Sequence, residues 1–149
     1  MKIELQEKLI TDFPKIYQKI TDDKSLMKFG FECKDGWFDL IYKLSSTIQE
    51  LLDFKDYKNR TAGIQIIAFQ VKEKMGSLHF YYDTEKLKVK TSKKLKQIVE
   101  YQVTGAVRLA EKLSSKICEY CGNKATKQTK PWTRNLCEEC YDKEERSNV

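Results

Sequence analysis

The chain has 149 residues, 34% of them charged, and a formal net charge of +6. This length supports one ordinary domain, or one core with a small appendage, and excludes two full domains; the supply of Ile, Leu, Val, Phe and Tyr excludes wholesale disorder. No apolar run approaches the roughly 18 residues that span a bilayer, and the N-terminal MKIELQEKLITDF is charged where a signal peptide is not, so a cytoplasmic protein without a membrane partner is expected.

Leu5, Leu9, Phe13, Ile16, Tyr17 and Ile20 recur at three- and four-residue intervals, which predicts a helix with one buried stripe, interrupted or bent at Pro14. Phe29-Gly30-Phe31 reads as extended and Asp35-Gly36 as a turn, with Asp35 expected to cap the next helix. That helix carries Trp37, Leu40, Ile41, Leu44, Ile48, Leu51 and Leu52 and ends before a polar loop, KDYKNRTAG. Residues 64–72 and 77–83 read as a β-hairpin turning at Gly76. Strict alternation places Ile67, Phe69 and Val71 on one face of the first strand, and Leu78, Phe80 and Tyr82 on one face of the second. A long helix is predicted from Thr91 onward, with an apolar stripe through Leu95, Ile98, Val99, Val103, Ala106, Val107, Ala110 and Leu113. Within it, Gly105 and Ala106 permit close approach of another backbone, or are a weak point in the helix.

Charge is placed unevenly. Residues 1–83 hold thirteen Lys/Arg and thirteen Asp/Glu, whereas 84–149 hold fifteen against nine and carry the whole +6. The densest block, TEKLKVKTSKKLK, contains Lys86, Lys88, Lys90, Lys93, Lys94 and Lys96. Such a field attracts nucleic acid or another anionic partner, although a solvated linker and helix surface explains it equally well.

The most informative constellation is Cys118-Glu-Tyr-Cys121 and Cys137-Glu-Glu-Cys140, two CxxC pairs separated by fifteen residues. Each pair brings two thiolates to one side of a turn, and two such turns supply the four soft ligands of a closed tetrahedral zinc site. Gly122 suits the left-handed exit from the first turn. An iron–sulfur centre also uses four cysteines. Two disulfides need an oxidising compartment and leave Cys33 over, and a redox CxxC belongs before the helix of a βαβ unit. One structural Zn2+ held by Cys118, Cys121, Cys137 and Cys140 is therefore expected, lowering the net charge to about +4 once four thiolates and a dication are counted. Lys116, Lys124, Lys127, Lys130 and Arg134 can offset that local charge. Trp132 reads first as the cap of the module's small core; the alternative is an exposed stacking platform, favoured by the flanking Lys127, Lys130 and Arg134.

His79 is the single histidine, and Cys33 is the single thiol outside the cysteine pairs. With Glu32, Asp35 and Asp39 they are the candidates for a hydrolase or small-molecule site; the plainer reading is a packed cysteine, a sheet-surface histidine and capping acids. No phosphate-binding loop, dinucleotide fingerprint, HExxH or GxSxG string is present.

Three strings, GFECKDGW at 30–37, VKEKMGSLHFYY at 71–82, and CEYCG with W..NLCEEC at 118–140, resemble an uncharacterised family of small bacteriophage and prophage proteins in which such segments occur in this order. Met75 and His79 stand where Phe and Arg are common in that family. The resemblance implies a phage context and a host cytoplasm, but no mechanism.

The expected fold is therefore α+β: a hairpin or small antiparallel sheet covered by helices over 1–116, then a treble-clef or zinc-ribbon module over 117–149. The expected function is non-enzymatic, an accessory protein binding nucleic acid or a nucleic-acid-bound host complex. The residues expected to carry it are Lys93, Lys94, Lys124, Lys127, Lys130, Trp132 and Arg134. The alternatives are a protein-binding inhibitor of a host enzyme or defence system, and the hydrolase or small-molecule site around GFECKDGW.

Overall fold

A computed structural model describes residues 1–53, 64–86 and 93–147. The polar loop expected at 55–63, the middle of the lysine-rich block and the helix start expected at Thr91 lie outside the described residues.

Helix α1 spans Ile3–Asp12. It stops where the sequence dictates: Phe13 takes φ −127° and ψ 54°, because the ring of Pro14 disfavours helical geometry in the residue before it. The chain then continues through short 3-10 turns at Gln18–Thr21 and Leu26–Phe29. Leu9, Phe13, Ile16, Tyr17 and Met27 are all buried along this stretch. Strand β1 is only Phe31–Glu32, and a 3-10 turn at Asp35–Trp37 delivers the chain into α2, Phe38–Asp53. Asp35 does not cap α2. Its Oδ1 accepts from the Lys2 amide at 2.7 Å, at the entrance of α1 instead.

Strands β2, Ile64–Lys74, and β3, Ser77–Lys86, form the expected antiparallel hairpin. Its two-residue loop has positive φ at both central positions, 54° at Met75 and 78° at Gly76, the combination whose twist matches the flanking strands. The sheet is nonetheless mixed rather than antiparallel throughout. Its order is β1-β2-β3, and β1 runs parallel to β2 with Phe31 opposite Val71. Two residues are too few for periodicity to reveal a strand.

Alternation along β2 also departs from expectation. The pairing skips from Ala68–Tyr82 to Gln70–Tyr81, leaving Phe69 as the extra residue of a β-bulge. Ile64, Ile66 and Ala68 therefore share a face with Val71, while Ile67 is buried on the opposite face. The Ala68 amide donates to the Ile16 carbonyl at 2.8 Å, tying the first segment to the bulge.

Helix α3, Lys93–Ser114, packs against α2 and β3 through Leu95, Val99, Val103, Val107 and Ala110. It also closes the edge of β3. Ser114 Oγ accepts from the Leu78 amide at 2.8 Å, and Glu111 Oε1 accepts from the Phe80 amide at 3.1 Å, so two donors of an edge strand are satisfied by helix side chains. Leu9, Tyr17, Trp37, Ile41, Ile48, Ile66 and Leu78 form the fully enclosed centre. Tyr17 keeps its hydroxyl bonded to Ser45 Oγ at 2.6 Å. None of the described helices is long and apolar enough to cross a membrane.

Candidate metal centre

Beyond α3, Ile117 and Lys124 pair as an antiparallel bridge and pinch the intervening residues into a knuckle. The Cys118 amide donates to Asn123 O at 2.7 Å, the Gly122 amide donates to Cys118 O at 2.9 Å, and Gly122 leaves with φ 82°. A short hairpin follows, β4 at Lys127–Gln128 and β5 at Asn135–Leu136. Cys137 comes directly after β5 and leads into helix α4, Glu138–Ser147, whose first turn holds Cys140. The first thiol pair thus sits on a knuckle and the second at a helix entrance, where the macrodipole favours thiolate.

The four sulfurs of Cys118, Cys121, Cys137 and Cys140 lie within 4.8 Å of one another. All are free thiols, and Cys121 Sγ is 3.5 Å from Cys137 Sγ, well beyond the roughly 2.05 Å of a disulfide. Four thiolates about 2.3 Å from a central ion stand roughly 3.8 Å apart in a tetrahedron, so the spacing and the soft donor set can hold a metal ion.

The four thiols are not tuned alike. Burial and crowding by the other three sulfurs drive the Cys140 thiol upward, and burial likewise raises Cys121. At Cys118 burial also opposes ionisation, yet the backbone amides of Cys137, Cys121 and Tyr120 aimed at its sulfur outweigh it and lower the group. The raised thiols keep their protons in the absence of an ion, and a cation between the four sulfurs would favour the thiolates.

The knuckle is seated on the GFECKDGW segment, a role that sequence reasoning missed. The Gly36 amide donates to Glu119 O at 2.8 Å, the Lys34 amide donates to Glu119 Oε1 at 3.1 Å, and Trp37 Nε1 donates to Ile117 O at 3.1 Å. A Cβ on Gly36 would lie 2.1 Å from Cys118 O and 2.5 Å from Gly122 N. Glu119 is 2% exposed; burial raises its carboxyl, against the pull of the Lys34 amide and Arg134. The signal was present as a glycine between two charged or aromatic neighbours and an acid inside the CxxC, but nothing local says that the two segments meet.

The seven basic and aromatic candidates do not share one setting. Lys93 and Lys94 are exposed at the first turn of α3, about 30 Å of helix from its C-terminal end. Lys124 and Lys130 are exposed near the knuckle and hairpin. Lys127 pairs with Glu138 at 3.4 Å across an open surface. Arg134 is held within the module, 2.6 Å from Glu144 and 4.0 Å from Glu119. Trp132 does not cap the module's core. It is 79% exposed, and Leu136 fills the interior beside Cys118 and Cys137.

Nor do Glu32, Cys33, Asp35, Asp39 and His79 converge. Cys33 is buried and its thiol is pushed up to about 12, mainly by burial, which leaves it without nucleophilic character. Glu32 accepts from Gln70 Nε2 at 2.8 Å. His79 stacks on Tyr81 at 5.9 Å, on β3 and two strands away from β1. It lines a cavity with Arg108, Glu111 and Lys112 that contains none of the other four.

Comparisons with protein-family models, with curated protein sequences and with solved structures returned no match.

Proposed function

We propose that this chain is a non-enzymatic, phage-type accessory protein. Cys118, Cys121, Cys137 and Cys140 hold one structural zinc ion in a treble-clef-type module, and that module binds single-stranded nucleic acid. Knuckle, hairpin and a helix that is entered at Cys137 and holds Cys140 support the treble clef. Zinc is favoured over an iron–sulfur cluster because all four sulfurs lie within 4.8 Å of one another, on the scale of a single ion. Bound there, the metal supplies folding energy rather than reactivity.

The observation that carries the binding reading is Trp132, 79% exposed at the turn of the β4–β5 hairpin. A module with so few apolar residues leaves its only tryptophan in water. The loop presenting it is fixed: Thr129 Oγ1 donates to Trp132 O and accepts from the Arg134 amide. Exposed Lys74 lines a concavity with Trp132, and exposed Lys130 is two residues before Trp132 in the chain; an aromatic plane with cations close by is how single strands are held. Lys93 and Lys94 are left outside this surface, and Arg134 serves to position it.

Fluorescence quenching with an oligonucleotide of about 12 nucleotides tests the reading. Trp37 is buried, so stacking reports through Trp132. Two phosphate contacts, from Lys74 and Lys130, give a salt slope of about −1.4, and Trp132→Ala costs about 1–3 kcal/mol of binding without lowering thermal stability. Quenching that is absent, or indifferent to salt, rejects nucleic-acid binding.

A protein-binding inhibitor is the second reading, favoured by Met75, which is 81% exposed and lines the same concavity as Trp132. Met75→Asn leaves nucleic-acid affinity unchanged under the first reading and abolishes partner inhibition under the second.

A further inference from the structure

The outer face of α3 carries a pattern unrelated to the metal centre. Lys94, Ile98, Tyr101, Gly105, Leu109 and Lys112 follow one another at steps of three or four residues, which places them along one line of the helix. The central apolar members are open to solvent: Tyr101 is 77% exposed, Leu109 59% and Ile98 37%. The buried stripe from Leu95 to Ala110 already secures α3 to the core, and the outward parts of these side chains lie outside it. Exposed apolar groups in a contiguous row mark interaction sites more often than chance surface.

Two further features point to an occupant. Gly105 lies at the midpoint of the row, and a Cβ built on it would meet nothing within 4 Å. The fold therefore does not need a glycine there, although glycine costs a helix interior about 1 kcal/mol relative to alanine. A crossing backbone would need it. The ends of the row are basic, and Lys94 occupies the first turn of α3, where no acid offsets it and the helix dipole disfavours a cation. Lys94, Arg108 and Lys112 make no ion pair with any described residue, whereas Glu100 is engaged by Lys96 at 3.1 Å and Glu111 by the Phe80 amide.

We infer that this face docks an amphipathic helix of a partner protein, apolar at its centre and acidic at both ends, crossing α3 at Gly105. A second copy of this chain does not fit. The row is basic at both ends, Lys94 and Lys112, so two copies crossing at Gly105 would bring basic ends together in either orientation, and like charges across an interface oppose association. The inference is independent of the nucleic-acid reading, since Trp132 lies beyond the opposite end of α3 from Lys94.

The test uses the zinc-loaded full chain and a synthetic helical peptide of about 20 residues with Leu at three- and four-residue spacing and Glu at both ends, alongside a version with Lys for Glu. Fluorescence anisotropy is expected to show saturable binding of the acidic peptide, at least tenfold tighter than the basic one. Leu109→Ser, Tyr101→Ser and Gly105→Leu each weaken it at least tenfold while leaving metal content and thermal midpoint near wild type. Absent binding, equal affinity for both peptides, or indifference to all three substitutions overturns the inference. So does self-association in sedimentation equilibrium that Leu109→Ser abolishes, which would assign the face to a second copy. Binding to phosphatidylglycerol vesicles lost in the same variant would assign it to an anionic lipid surface instead.

Discussion

Gly36 decides whether the knuckle can sit on the α+β core. With Cys118 O 2.1 Å from where its Cβ would stand, and with backbone on both sides, Gly36→Ala cannot be absorbed by a rotamer change. The substitution is expected to cost about 1–3 kcal/mol and to release zinc at lower chelator concentration, read by a colorimetric metal indicator. Met75 is the converse case. Its φ of 54° strains an L side chain in a loop that favours Asn or Gly, so Met75→Asn should stabilise the fold by about 0.5–1 kcal/mol, read as a higher urea midpoint. Cys33 sets a pH dependence. The unfolded thiol ionises near its ordinary 9.0 while the buried one waits until about 12, so the folded state binds the proton more tightly. Its stabilising contribution is complete below pH 9 and is lost as pH rises towards 12. Cys33→Ala is expected to flatten that part of the stability-versus-pH curve in urea titrations.

At the scale of elements, helices were readable because their apolar positions repeat over several turns, as at Ile41, Leu44 and Ile48. The convergence of the four cysteines was readable because two CxxC pairs at this spacing are the pattern of a site able to hold a metal. The bulge at Phe69 was not, since one inserted residue inverts alternation without changing composition, and β1 was too short to carry a period. The cap on β3 was equally hidden, because Ser114 lies 36 residues from Leu78. Ser114→Ala would leave the Leu78 amide buried and unsatisfied, costing about 1–3 kcal/mol. Hydrogen exchange at the Leu78 amide should accelerate in that variant before the rest of the hairpin is affected.

Across the whole molecule, the GFECKDGW segment joins the cysteine module to the α+β core. Periodicity described each piece separately, and only tertiary structure brings Gly36, Lys34 and Trp37 against Ile117 and Glu119. An ion held by the four thiols would thereby be coupled to the core as well as to the module. Intact-mass spectrometry under native conditions measures the central point directly. The account predicts one zinc ion per chain, leaving with a chelator and then exposing four thiols to alkylation while Cys33 stays protected. A metal-free chain, an iron–sulfur cluster, or a mass reduced by the hydrogens lost in disulfide formation would contradict it.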